Sequence, residues 1–157
     1  MVIVIIQIGK TDNKNLEAVI NDYLSRIRKM IRLEVITVPD LKNRGSLSVE
    51  NQKKEEAVRI MKHFRDGDHP ILLDEGGDEQ SSRQLADFIL SKMNTGCKRL
   101  LFIIGGPWGI HNELYSKAGK ILTLSKMTFS HQLVRLLFAE QVFRALTIIN
   151  GIPYHND

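Results

Sequence analysis

The sequence predicts an α/β domain: a mainly parallel sheet with helices on both faces. Three observations support this. Short runs rich in β-branched residues or leucine alternate with longer segments whose apolar residues recur at helical spacing. The short runs are continuously apolar rather than alternating, which is the pattern of strands buried on both faces. The chain has 157 residues, is 43% hydrophobic and 25% charged, and contains no internal repeat, so residues 1–157 are expected to form one domain with a real core.

The elements follow in order. Residues 2–8 are an apolar run closed by Gly9, the first strand. In 14–30, Leu16, Val19, Ile20, Tyr23, Leu24, Ile27 and Met30 mark the inner face of a helix capped by Asp12 or Asn13. Residues 33–38 form a β-branched strand stopped by Pro39. Residues 40–50 are a polar connection, expected to be mobile, before a charged helix over 51–64 with Ala57, Ile60, Met61 and Phe64 inward. A short buried strand, 71–73, runs into the turn Asp74-Glu75-Gly76-Gly77. A helix over 82–93, capped by Ser81 or Ser82, leads to a strand at 100–104 and then to Gly105-Gly106-Pro107-Trp108-Gly109. A short helix at 112–118 and a brief strand at 121–124 precede the longest helix, 131–149, capped by Ser130 or Thr128, with Gly151 past its end and Pro153 beyond.

Composition narrows the function. Cys97 is the single cysteine, so neither an internal disulfide nor a thiolate cluster can form, and a half-buried inert thiol is expected. The five histidines (63, 69, 111, 131 and 155) lack the close spacing of a metal pair, so no metal is expected. The run Val2-Ile3-Val4-Ile5-Ile6 is too short to span a bilayer and lacks the flanks of a signal peptide, which points to a cytoplasmic protein. A net charge of +4 favours a polyanionic partner only modestly.

In open parallel sheets, ligands gather beyond the carboxyl ends of the strands. Three such ends stand out here: 74–77, 105–109 and 124–129. The glycine loop lets backbone approach a ligand, but it is neither a dinucleotide fingerprint nor a P-loop, and a tight turn explains it equally well. Asp74 and Glu75 either receive ribose hydroxyls or cap a turn. Met127 and Phe129 either line an adenine pocket or fill the core, and Lys126 reads as a solvated charge unless it faces RNA. The last helix is apolar around nearly its whole circumference, so it is buried on several sides or lies in an oligomer interface. Glu140 and Arg144 have the spacing of a simple surface ion pair. Arg135 points where the helix is otherwise apolar, for structural reasons or to meet a phosphate or a tail across a dimer. The tail Ile152-Pro153-Tyr154-His155-Asn156-Asp157 reads by default as frayed.

Four stretches resemble the RlmH family of ribosomal RNA large-subunit pseudouridine methyltransferases, of the SPOUT class. They are Ile103 to Gly109, Leu124-Ser125-Lys126-Met127-Thr128-Phe129-Ser130-His131-Gln132-Leu133-Val134-Arg135, Glu140 to Ala145, and Pro153-Tyr154-His155. The likeness extends over the whole chain; Ser130 stands where many relatives have proline, and Trp108 fills a variable position of the glycine loop from which it could alter access to the cofactor site. The resemblance implies a C-terminal trefoil knot and an obligate homodimer. It implies S-adenosylmethionine held by Leu73, Gly105, Leu124, Ser125, Lys126, Met127, Thr128 and Phe129. It also implies methylation at N3 of a pseudouridine in helix 69 of 23S rRNA on assembled ribosomes. His131 or His155 would take the N3 proton, and Arg135, Arg144, Tyr154 and His155 would place the RNA, so the catalytic candidates are His131, Arg135, Tyr154 and His155. The rival expectations are a non-catalytic ribosome-binding domain and a small protein that holds a nucleotide phosphate in its glycine loop.

Overall fold

The computed structural model describes residues 1–42 and 44–155, with only the backbone of Arg44. Asn43 of the polar connection and Asn156 and Asp157 of the tail lie outside the described residues.

Five strands, β1 (Val2–Ile8), β2 (Arg32–Val38), β3 (Asp68–Glu79), β4 (Arg99–Ile104) and β5 (Lys120–Thr123), form one sheet in the order β2-β1-β4-β3-β5, and every pairing is parallel. Parallel neighbours need crossovers, and helices supply them. Helices α1 (Lys14–Arg28), α3 (Ser82–Asn94) and α5 (His131–Ile149) pack on one face around Ile3, Ile5, Phe102 and Ile104. Helices α2 (Val49–Met61) and α4 (Asn112–Tyr115) cover the other face around Val4, Ile6, Leu101 and Ile103. Alternate residues of β1 and β4 therefore serve opposite cores, which is why those strands are apolar without interruption. Phe102 and Phe138 meet at 4.7 Å between ring centroids and fasten α5 to the sheet; such a buried pair contributes about 0.5–1.5 kcal/mol beyond its area.

The caps follow the sequence. Asn13 accepts from the backbone N–H groups of Asn15 and Leu16. Ser81 and Gln84 form a reciprocal capping box at α3. Ser130, not Thr128, caps α5, accepting from the N–H of Leu133. Gly151, at φ +63°, follows its last turn.

Three expectations need correction. The helix expected over 51–64 begins at Val49, after the cap Ser48, and ends at Met61, with Phe64 packing from beyond its end. The helix expected to reach Ala118 stops at Tyr115. Asp74 to Gly77 do not end the third strand, because β3 continues to Glu79. Leu73 and Asp78 both pair with Leu122, so residues 74–77 arch out as a bulge and the strand then rejoins β5. A Cβ on Gly77 would lie 2.7 Å from the Leu122 backbone, so only glycine lets the bulge close there. Among its described residues, the connection over 40–50 holds a 3-10 turn at Arg44–Ser46 before α2 begins at Val49. Among the described residues no helix is long and apolar enough to cross a membrane.

Candidate active site

The bulge of β3, the glycine loop after β4 and the segment after β5 all leave the carboxyl edge of the sheet and enclose one cleft of about 690 Å³. Its walls include Leu73, Ile104, Gly105, Leu124, Ser125, Met127, Thr128 and Phe129, with His131 and Val134 from the first turn of α5. Lys126 is exposed and is not among the lining residues. Trp108 and Met127 stand at the cleft as large apolar side chains, 54% and 72% exposed.

Local hydrogen bonds fix each wall. Gly109, at φ +83°, returns its N–H to the carbonyl of Gly106 and closes the glycine loop on itself. A Cβ on Gly106 would come 2.6 Å from Glu56 Oε2, so the buried Glu56 carboxylate lies directly beneath this loop. The segment after β5 is a chain of side-chain turns. Ser125 N–H donates to Thr123 Oγ1, Thr123 Oγ1–H to the Ser125 carbonyl at 2.6 Å, and Met127 N–H to Ser125 Oγ. Thr128 Oγ1 then donates to Glu75 Oε2 and ties that segment to the β3 bulge. Asp74 is used locally: Oδ1 accepts from the Gly76 N–H and Oδ2 from the Tyr115 hydroxyl at 2.8 Å. Asp74 thus caps its own turn through Gly76, as one of its two readings expects. Burial first, and then this bond, push the Tyr115 phenol above its ordinary range and hold it as a donor.

The charge of the cleft is one-sided. Its ionic lining side chains, among the described residues, are the carboxylates Asp74 and Glu75, with no lysine or arginine. A phosphate would find no lysine or arginine among the described lining residues, whereas a cationic ligand would find two carboxylates nearby.

The remaining candidates lie elsewhere. Arg135 is 3% exposed and turns away from the cleft, donating to the carbonyl of Ile8 and, at 3.0 Å, to Thr11 Oγ1. Burial lowers its pKa, and Asp40 and Asp12 oppose that shift. Tyr154 and His155 follow α5 in the chain and fold back on it. The Tyr154 ring packs edge-on against Phe143 at 4.8 Å and beneath the Arg144 guanidinium, and its hydroxyl donates to Glu140 Oε1 at 3.2 Å. Tyr23 lies 3.5 Å from the same hydroxyl. That contact first, then burial, then Glu140, push the Tyr154 phenol up to about 12. Arg144 donates twice to Glu140, at 2.6 and 2.9 Å, and its Nη1 is 3.3 Å from His155 Nδ1. The surface ion pair expected from spacing is instead a half-buried hub, and through residue 155 the tail is docked rather than frayed. Along α5 the hub residues Glu140 and Arg144 lie nine and thirteen residues beyond His131, roughly 13–20 Å along the helix axis.

Sequence reasoning missed three participants. Thr123 anchors the segment after β5, and its one signal was a hydroxyl ending an apolar strand. Gln132 exchanges two hydrogen bonds with Asp12, at 2.7 and 3.0 Å, and nothing in either segment signals that pairing across 120 residues. Glu50 reaches His111 Nε2 at 3.2 Å, which leaves that histidine to cap α4. Cys97 is half-buried, with its thiol 3.4 Å from the Arg99 carbonyl, and no cluster able to hold a metal occurs among the described residues.

Residues 1–155 match the family model described as "Predicted SPOUT methyltransferase". Curated relatives named "Ribosomal RNA large subunit methyltransferase H" align over almost their whole length. The relative from Bacteroides thetaiotaomicron is 45% identical over 150 residues, covering 96% of each chain. That from Christiangramia forsetii is 46% identical over 156 residues and 99% of each. That from Parabacteroides distasonis is 45% identical over 157 residues and 100% of each. The crystal structure of a probable methyltransferase from Bordetella pertussis Tohama I shares the fold at a TM-score of 0.53 and 12% identity, covering 92% of this chain and 95% of that one.

Proposed function

From the premise that the chain belongs to the SPOUT methyltransferase family, with ribosomal RNA large subunit methyltransferase H proteins as full-length relatives, we propose that it uses S-adenosylmethionine to methylate N3 of a pseudouridine in helix 69 of 23S rRNA on assembled ribosomes. The observation that carries this reading is the charge of the cleft. Two carboxylates and no lysine or arginine suit a sulfonium cation and disfavour the nucleotide phosphate of the rival reading. The apolar walls at Leu73, Leu124, Phe129 and Val134 suit an adenine ring, and Gly105 with the backbone around Ser125 to Thr128 offers it polar edges. When bound, this cofactor supplies an electrophilic methyl group.

The chain's own task is positioning and proton removal. Alignment of the target nitrogen with the methyl is an entropic contribution of up to roughly 7–11 kcal/mol. His131, at the cleft, is one candidate to accept the N3 proton. His155 of a second copy is the other, because the tail of the same chain is held by Arg144 and Glu140, roughly 13–20 Å along α5 from His131. This reading makes the active form a homodimer in which Arg144, Tyr154 and His155 of one copy face the cleft of the other and place the RNA. The half-exposed apolar residues of α5, such as Leu133 at 36% exposure, supply an interface. It also threads the segment between β5 and α5 as a trefoil knot. The passage of α5 from the β5 edge back over β4 to α1 is consistent with that path.

Calorimetry with S-adenosylmethionine, followed by methyl transfer to ribosomes that lack the modification with free RNA alongside, tests the proposal. Binding of a nucleotide in place of S-adenosylmethionine would remove it. Replacing His131 and His155 in turn by Ala or Gln, and following single-turnover rates against pH, assigns the base. A candidate whose loss leaves the rate unchanged is not the base.

A further inference from the structure

A second cleft of about 670 Å³ lies against the first, at the carboxyl ends of β1 and β2. The two share Ile104 as a wall, and the first turns of α5 serve both: His131 and Val134 face the first cleft and Arg135 the second. Connections leave β1 toward β2 and β4 toward β5, so the carboxyl ends of β1 and β4 flank the reversal in strand order where open parallel sheets receive ligands.

The wall of this cleft is held rigidly. Gln132 and Asp12 exchange hydrogen bonds of 2.7 and 3.0 Å, and Arg135 reaches Thr11 Oγ1 at 3.0 Å. Together they clamp the loop after β1 to α5. Lys10 projects from that clamped loop, exposed, into the cleft. Arg135 is 3% exposed, and its Nε has no hydrogen-bond partner, a buried cationic donor in the cleft wall.

The chemistry of the lining selects the ligand. Lys10, Arg28 and Arg135 are balanced by Asp12, Glu17 and Asp40, and Asn21 adds an amide. A cleft of cancelling charge does not suit a free phosphate. Donors and acceptors side by side do match the polar edge of an unstacked base, where carboxylates accept from exocyclic amino groups and cationic or amide groups donate to ring and carbonyl acceptors. We infer that this second cleft is a subsite for the base of a nucleotide flanking the target in the substrate RNA, with Gln132 and Asp12 as positioning residues for its wall. The inference rests on the RNA methyltransferase reading for the identity of the strand but concerns residues outside the cofactor cleft.

The test uses the full chain with Lys10 and Asn21 replaced together by Ala. Both side chains are exposed, so the fold is retained, and Lys98→Ala, at the opposite end of the sheet, is the control. Co-sedimentation with unmodified ribosomes, without methyl donor, measures binding directly. The double variant should need about tenfold more ribosomes for half-saturation, as expected for loss of one base-edge contact. Affinity for S-adenosylmethionine should be unchanged, because neither residue lines the cofactor cleft, and the control should match the wild type. A shift under about twofold overturns the subsite. A change from dimer to monomer also overturns it, because the cleft would then be an interface between copies. Wild-type protein that sediments with ribosomes but transfers no methyl refutes the catalytic reading alone, and co-sedimentation of the variant still decides the subsite.

Discussion

Thr128 Oγ1 donates to Glu75 Oε2 at 2.9 Å, joining the segment after β5 to the bulge of β3 across the mouth of the cleft. The two segments are far apart in sequence; the β3–β5 ladder brings them together, and this bond ties them beyond it. Thr128→Val keeps the shape and removes the donor. It should weaken S-adenosylmethionine binding about fivefold, for a net hydrogen bond of about 1 kcal/mol, with little change in melting temperature because Thr128 is exposed. Calorimetry on wild type and variant measures it, and equal affinities would show that the bond does not shape the cleft.

Gly77 sits where the bulge of β3 closes on β5. Its φ is not in the left-handed region, so the constraint is space alone. Gly77→Ala would press a methyl to within 2.7 Å of the Leu122 backbone, and backbone cannot rotate aside. A loss of about 1–3 kcal/mol in urea unfolding is expected. Weakened cofactor binding should accompany it, since the neighbouring Leu124 and Ser125 line the cleft.

The tail is fixed by Glu140, which receives Arg144 and the Tyr154 hydroxyl on one oxygen. Glu140→Ala should cost about 2 kcal/mol, because bonds to a charged group are lost where the side chains are only 19% and 26% exposed. It should also release Tyr154 and His155, which limited proteolysis would detect as faster loss of the C terminus. On the composite-site reading, methyl transfer falls by far more than S-adenosylmethionine affinity.

His69 packs on Phe88 at 6.4 Å between centroids, against the close approach of Gly119. Burial first, and then Lys92, lower its pKa from 6.5. The folded state therefore favours the neutral ring. Its contribution to stability is full above about pH 6.5 and declines as pH falls through that value toward the lower folded pKa. His69→Gln should flatten the acid limb of a stability–pH profile below pH 6.5, measured by urea midpoints. An unchanged slope would place the acid sensitivity elsewhere.

Much of the fold is legible in the sequence because its strands are buried on both faces, so that β1 and β4 read as unbroken apolar runs. The long helix is equally plain, since the polar segment before His131 turns abruptly apolar, but its cap reads as either Ser130 or Thr128 until the Ser130–Leu133 bond decides it. The third strand is read too short because Asp74-Glu75-Gly76-Gly77 carries the composition of a turn, and only the pairing of both Leu73 and Asp78 with Leu122 reveals a bulge. The three loops of the cleft are recognisable as strand ends. The contacts that tie distant segments are not recognisable: Thr128–Glu75 between two of those loops, and Gln132–Asp12 and Tyr154–Tyr23 elsewhere, span 53, 120 and 131 residues with no local periodicity. For the same reason the docked tail reads as frayed: its partners Phe143, Glu140 and Arg144 serve equally well as an ordinary helix surface.

The most direct measurement is single-turnover transfer of a labelled methyl from S-adenosylmethionine to ribosomes lacking the modification, with the product mapped to a nucleotide. The account predicts one methyl per ribosome, at N3 of a pseudouridine in helix 69 of 23S rRNA, and loss of transfer when the cleft or the tail is disrupted. Transfer to another nucleotide would contradict the proposed target, and absence of transfer despite S-adenosylmethionine binding would contradict the enzyme.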